Sequence, residues 1–178
     1  MPSSIPRPAD DEFAPYYTPY IAALPAGDVL TTLEHDLADT LTLFHATPEA
    51  RGTFRYAPGK WSVKDVVNHI IDAERIFAYR ALRIARGDQT PLATFAENAY
   101  AVSANADDRT IADLAAELEA VRHATLMLFR SFRVDVMTIR GTASGFPVTP
   151  RALAHILAGH ARHHVNVLRE RYGLGAIS

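Results

Sequence analysis

Four stretches of this sequence place apolar residues at every third or fourth position, and each stretch follows a residue that can cap a helix. The periodicity predicts a first helix that ends near residue 44, a second over 63–86, a third over about 111–131 and a fourth that ends before Gly173. Their N-caps are Asp28, Ser62, Thr110 and Thr149. Because no strand pattern alternates with these helices, the sequence predicts an all-α four-helix bundle.

The connections between these helices restrict the topology of the bundle. Residues 87–109 and 132–148 form long crossover connections, which argues against a simple up-down-up-down order. We expect a short helix around residues 95–102 in the first connection, and turns with short extended pieces in the second. Ser62 with Asp65 is similar to a capping box, and Pro150 follows Thr149 at the first helical position.

The length and composition are those of one globular domain. With 178 residues, of which 48% are hydrophobic, the chain can bury an apolar core without help from a metal or a disulfide. We divide it into an N-terminal arm over 1–27, which contains six prolines, and a four-helix-bundle metal-binding domain over 28–178. Tyr16, Tyr17 and Tyr20 indicate that the arm packs either on the body of the protein or on a second subunit.

Charge and residue content argue against several classes of function. The formal net charge is −2 and the 18 basic residues are spread along the chain, so we expect no nucleic-acid partner. No run approaches the roughly 18 consecutive apolar residues of a membrane span, so we expect no membrane association and a cytoplasmic location. Cysteine is absent, so a metal must use nitrogen or oxygen ligands and no cysteine can act as nucleophile.

Histidines on two helices are the candidate metal ligands. His160 and His164 interrupt the apolar stripe of the fourth helix one turn apart, and such a pair on one helix face can share an ion. His69 lies in the apolar stripe of the second helix and is the third candidate, whereas His155 and His163 fall off the stripe. Buried histidines bonded to neighbours would give the same pattern, but one divalent ion satisfies all three imidazoles at once. Three histidines without a fourth protein ligand are typical of a catalytic metal site.

Two further polar residues of the second helix are candidate catalytic residues. Asp72 lies one turn after His69, where it could orient a ligand histidine or move a proton, or else pair with Arg75 on the surface. Arg80 returns to the stripe of His69, where it could meet an anionic substrate or pair with a buried carboxylate.

Neighbouring residues receive structural interpretations. Trp61, the only tryptophan, is expected to pack against the start of the second helix as a hydrophobic staple. Asn68 and Glu74 fall off the stripe of that helix, so we expect both side chains to be solvated.

Two segments of the chain resemble the DinB/YfiT-like superfamily. They are GKWSVKDVVNHIIDAERIFAYRALRIARGD and GHARHHVNVLRERYG, and the resemblance covers roughly residues 28–173. Its most specific elements are a Trp-Ser pair before a helix with one histidine and a later His-x-x-x-His, here Trp61, Ser62, His69, His160 and His164. The resemblance implies a four-helix bundle, a divalent metal such as zinc or nickel on the three histidines, and a homodimer. Members of the superfamily include bacillithiol or mycothiol S-transferases, maleylpyruvate isomerases and proteins described as metal-dependent hydrolases.

Three functions are consistent with these residues. The first is a metal-dependent enzyme that transfers a low-molecular-weight thiol to an electrophilic small molecule, the thiol being activated on the metal. The second is a metal-dependent hydrolase that uses metal-bound water. The third is a non-catalytic, stress-associated dimer whose metal is structural.

Overall fold

The four cap residues begin helices at the positions that the sequence predicts. The computed structural model describes residues 4–175, so residues 1–3 of the arm and 176–178 of the bundle domain lie outside the described residues. Each cap side chain accepts a hydrogen bond from the backbone amide three residues later. The helices are α1 Thr18–Ala22, α2 Val29–His45, α3 Val63–Ala85, α4 Glu97–Ala104, α5 Ile111–Ser131 and α6 Pro150–Glu170.

The four long helices form a bundle in which neighbours in sequence are not always neighbours in space. Helix α3 packs against α5 and α6, and α2 packs against the same two helices from the other side. The first and second long helices, α2 and α3, are therefore diagonal across the bundle, and so are α5 and α6. This arrangement agrees with the predicted departure from up-down-up-down order. The predicted connection 132–148 joins the diagonal helices α5 and α6, whereas 87–109 joins α3 and α5, which pack on each other. The diagonal helices α2 and α3 are joined by residues 46–62.

Both long connections contain the expected local structure. The first includes α4, which packs on α3. The second includes a hairpin of two short antiparallel strands, β1 Gly141–Ala143 and β2 Phe146–Val148. Ser144 and Gly145 join the strands with φ of 53° and 81°, and two successive positive φ angles are typical of a tight type I′ turn. Leu92 of the first connection pairs beside Ala143, so the two connections meet.

The N-terminal arm packs on the body of the protein. Single-turn helices over Asp10–Glu12 and Pro15–Tyr17 precede α1, and the arm contributes apolar side chains to the same core cluster as α3 and α6. Arg7 donates to the carbonyls of Ile21 and Leu24, which holds the end of α1 in place. The buried apolar residues described for the arm are Ile5, Phe13, Ala14, Ile21 and Leu24.

Two apolar clusters fill the bundle, one on each side of the level of His69 and His160. One cluster includes Phe77 and Leu157, and the other includes Ile70 and Val165. Within the described residues, no helix combines the length and apolar character that crossing a membrane requires.

Candidate metal centre

Three histidine side chains from two helices converge inside the bundle. His69 lies on α3, and His160 and His164 lie one turn apart on α6, the helix on which α3 packs. One ligand nitrogen of each ring lies within 4.8 Å of the others. The Nε2 atoms of His69 and His160 are 3.0 Å apart. The predicted trio is therefore one cluster.

The geometry of the cluster fits a divalent ion. Nitrogens at roughly 2.0–2.1 Å from a tetrahedral ion are separated from one another by about 3.4 Å, which lies between the 3.0 Å contact and the 4.8 Å limit of the cluster. No carboxylate of residues 4–175 belongs to this group. An ion held by three imidazoles alone keeps a position for water or substrate, as catalytic sites do.

Burial keeps the three imidazoles in the form that binds metals. Burial lowers the pKa of His69 to about 4 and, together with the nearby His69 and His163, lowers the pKa of His164 to about 3. Burial and the neighbouring histidines hold the pKa of His160 well below its ordinary value. At neutral pH all three rings are therefore uncharged, and each offers a nitrogen lone pair.

Aromatic side chains surround the cluster. The ring centres of Trp61 and His69 are 4.8 Å apart. Trp61, which is predicted to pack against the start of this helix, therefore packs directly on a candidate ligand. The ring centres of Phe77 and Tyr20 lie 5.6 and 5.9 Å, respectively, from the ring centre of His160. His164 is half-buried, whereas His69 and His160 are buried, so His164 is the most solvent-exposed member of the trio.

The contact of the arm with the metal centre was missed by the sequence analysis. The backbone of Tyr20 lies directly against Gly159, where a Cβ atom would collide with the Tyr20 carbonyl oxygen. Glycine thus allows the arm to approach α6 one residue before His160. A glycine inside a helix next to a candidate ligand is a sign of such an approach, and it could have indicated this contact.

The two histidines that the sequence set aside do not belong to the three-histidine group. His163 is exposed on the flank of α6, and its ring centre lies 5.0 Å from that of His164. His155 is buried, but its Nδ1 lies 2.8 Å from the carbonyl oxygen of Arg151, which gives it a backbone partner.

Within the described residues, the hydrogen-bond partners of Asp72 and Arg80 do not include the three histidines. Asp72 accepts a hydrogen bond from Asn68 Nδ2 at 2.9 Å, and burial raises its pKa above the usual value. The Arg75 side chain pairs with Glu117 instead of Asp72. Arg80 donates to backbone and hydroxyl oxygens nearer the C-terminal end of α3.

The expectation that Asn68 and Glu74 are solvated is wrong, because both side chains are buried. Glu74 forms a two-pronged ion pair with Arg122 of α5, with N–O distances of 2.8 and 2.9 Å. Arg122 also donates to the Leu33 carbonyl oxygen at 3.0 Å. Glu74 follows Ile70 by four residues, so it belongs to the side of α3 that meets α5.

Comparison with known families agrees with this architecture. The DinB superfamily model matches residues 32–168. This chain belongs to the DinB superfamily. No curated protein matches it significantly by sequence.

Two solved structures share the fold of this DinB protein. YfiT from Bacillus subtilis, described as a probable metal-dependent hydrolase with an unusual four-helix bundle topology, is 16% identical with a TM-score of 0.72, and the match covers 95% of this chain and 94% of YfiT. A mycothiol-dependent maleylpyruvate isomerase is 16% identical with a TM-score of 0.68. That match covers 88% of this chain but 64% of the isomerase, which is therefore the longer protein.

Proposed function

We propose that this protein is a metal-dependent enzyme in which His69, His160 and His164 hold a divalent ion, zinc or nickel. In this proposal a low-molecular-weight thiol is the cosubstrate and is transferred to an electrophilic small molecule. The observation that carries the proposal is the convergence of three neutral imidazoles without a carboxylate among residues 4–175. Such a ligand set leaves room for a further ligand.

The chemistry requires little else from the chain. When bound, the ion supplies positive charge that lowers the pKa of a nearby thiol and so favours the nucleophilic thiolate. The thiol proton passes to solvent, the sulfur forms a bond to the electrophilic carbon, and the leaving group departs with its electron pair. The absence of cysteine is compatible with this reaction, because the cosubstrate brings the sulfur. Trp61, Phe77 and Tyr20 line the histidines with apolar surface and restrict the entry of water.

Hydrolysis is the second candidate, with water in place of the thiol. It is supported by the likeness to YfiT, which covers nearly the whole of both chains and carries the description of a probable metal-dependent hydrolase. Thiol transfer is supported by the likeness to an isomerase that depends on mycothiol.

The test is turnover of an electrophile by metal-loaded protein with and without thiols. Protein purified without a histidine tag is first examined by elemental analysis and then loaded with zinc or nickel. Monochlorobimane serves as electrophile, with cysteine, bacillithiol or mycothiol as cosubstrate, and p-nitrophenyl acetate reports hydrolysis. We expect a saturable, thiol-dependent rate that disappears in His160→Ala.

The outcomes separate the candidates. Ester turnover without thiol, lost in His160→Ala, would reject thiol transfer and favour hydrolysis. Absence of both reactions, with a firmly bound metal that does not exchange its ligands, would favour a non-catalytic metal-binding dimer. A homodimer is part of the proposal, and analytical ultracentrifugation of the full chain measures it.

A further inference from the structure

Arg80 is a buried cation without a carboxylate partner. Three lysine or arginine side chains are buried among residues 4–175. Lys64 pairs with Glu49 at 2.7 Å, and Arg122 pairs with Glu74 at 2.8 Å. Arg80 is only 4% exposed, yet it forms no ion pair with any carboxylate of the described residues. Arginine is rarely buried to this extent without a counter-charge, because removing an unpaired charge from water is unfavourable.

The protein contacts of Arg80 are neutral. Its Nη2 donates to the Ala93 carbonyl oxygen at 2.7 Å and to Ser144 Oγ at 3.1 Å, and the Tyr17 hydroxyl is a further neutral partner of the side chain. Its Cζ lies 6.0 Å from the ring centre of Phe77. These contacts orient the guanidinium and tie α3 to both connections, but they do not neutralise its charge.

The Arg80 side chain lines a cavity of about 350 Å³ between α3 and residues 90–95. This volume is within the range of small-molecule sites, roughly 300–1,000 Å³. Ile76, Leu92 and Phe95 give the cavity an apolar wall. A pocket with an apolar wall and one charged group at a fixed position is typical of a site for a small ligand.

The charges around this cavity favour an anion. Its lining includes two arginines, Arg80 and Arg83, and no acidic residue. Arg83 is already neutralised, because Asp88 accepts from its Nε and Tyr79 Oη is a further partner. Of these two arginines, only Arg80 has no acidic partner among the described residues, and a bound anion would supply one.

We propose that this cavity binds a small organic carboxylate, whose carboxyl group pairs with Arg80 and whose apolar body packs on Ile76, Leu92 and Phe95. The cavity lining includes none of the three histidines. The Arg80 Cζ lies 6.0 Å from the ring centre of Phe77, and the Phe77 ring centre lies 5.6 Å from that of His160, so the cavity and the metal centre are neighbours. Pairing of a carboxylate with Arg80 requires no metal, so the proposal does not depend on the proposed reaction.

Benzoate is the probe, and isothermal titration calorimetry on metal-free protein is the measurement. Removing the metal prevents the carboxylate from binding at the histidines. We expect benzoate to bind wild type and to bind at least about tenfold more weakly to Arg80→Gln, since a charge-assisted hydrogen bond is lost. Benzyl alcohol, which lacks the charge, and acetate, which lacks the apolar body, should each bind about tenfold more weakly than benzoate.

Matched variants keep the result interpretable. Arg86→Gln removes an arginine that is close in sequence but outside the cavity lining, and it should bind benzoate as wild type does. If Arg80→Gln does not fold, Arg80→Lys, which keeps the charge without the fork, and Phe95→Ala, which removes apolar wall, should each weaken binding. Absence of benzoate binding to wild type, equal binding of benzoate and benzyl alcohol, or undiminished binding in the folded Arg80 variants would overturn the proposal.

Discussion

The Glu74–Arg122 pair and the histidine trio are both polar groups in the interior of this bundle, and their partners differ. Glu74 and Arg122 satisfy each other through two hydrogen bonds, and a third goes from Arg122 to a backbone carbonyl. The imidazoles of the histidine cluster mainly contact one another. The Nε2 atoms of His69 and His160 are 3.0 Å apart, and in any pair of neutral tautomers at most one of them donates a hydrogen bond to the other. The pair is thus closed, whereas the cluster retains unused nitrogen lone pairs.

The bonding of each group indicates how it is to be interpreted. A buried polar group indicates a functional site only when the protein leaves some of its bonding capacity unfilled. By this criterion the Glu74–Arg122 pair is structural and the histidine trio is the candidate ligand set. The comparison can be tested. Mutation of the Glu74–Arg122 pair should lower stability and leave metal affinity unchanged, whereas mutation of the histidine trio should lower metal affinity and change how stability depends on pH.

The largest expected effect is on the closed pair. Glu74→Ala leaves the Arg122 charge buried and alone, so we expect the free energy of unfolding to fall by about 3–5 kcal/mol. Urea unfolding of metal-free protein measures it. Metal affinity of the folded variant should stay as in wild type.

A surface pair provides the control for this change. Glu34 pairs with Arg130 where both side chains are 43% exposed, and Glu34→Ala should lower stability by less than about 1 kcal/mol. Equal losses in the two variants would show that burial does not distinguish these pairs.

The next effect concerns the open cluster. His160→Ala removes one ligand, and we expect zinc affinity to fall by more than about 100-fold, because disturbing groups behind a ligand already lowers affinity 10- to 100-fold. Competition with a chromogenic chelator measures the affinity. His123→Ala, which removes an exposed histidine of α5, should bind zinc normally. A similar loss in both variants would contradict the assignment of His160.

The smallest effect is the pH dependence of the metal-free protein. Because the folded-state pKa values of His69 and His164 are lowered to about 4 and 3, the unfolded chain takes up these protons first. Stability is therefore complete above the unfolded pKa of about 6.5 and declines as the pH falls toward the folded values. Between pH 6.5 and 5.5 each histidine should contribute a loss of about 1 kcal/mol.

Urea unfolding at several pH values measures this decline. His164→Leu should make it shallower, since that variant has one histidine fewer to titrate. An unchanged slope in this variant would mean that His164 is not held neutral in the folded state.

The sequence predicts the helices well because helix ends are local. Asp28, Ser62, Thr110 and Thr149 each cap a helix through an amide only three residues away. Apolar periodicity then fixes which face of each helix is buried. The diagonal placement of α2 and α3 could be anticipated only as a departure from simple order, because it depends on how both helices pack against α5 and α6, which are distant in sequence.

The candidate site was predictable in part. His160 and His164 are neighbours through helix geometry, whereas His69 joins them from 91 residues away. The Glu74–Arg122 pair spans 48 residues, and no pattern within α3 distinguishes a carboxylate with a buried partner from a solvated one. The contact of Tyr20 with Gly159 likewise depends on where the arm docks.

The long separation of His69 from His160 also determines when an ion can be acquired during synthesis. As the chain is made from its N-terminus, translation must proceed 91 residues beyond His69 before the second ligand exists. Docking of α6 on α3 must then close a long loop, and the entropy of that closure opposes the contact. In the proposed function, metal uptake by the nascent protein is therefore a late step, and the rate of metal capture on refolding reports the docking of α6 on α3.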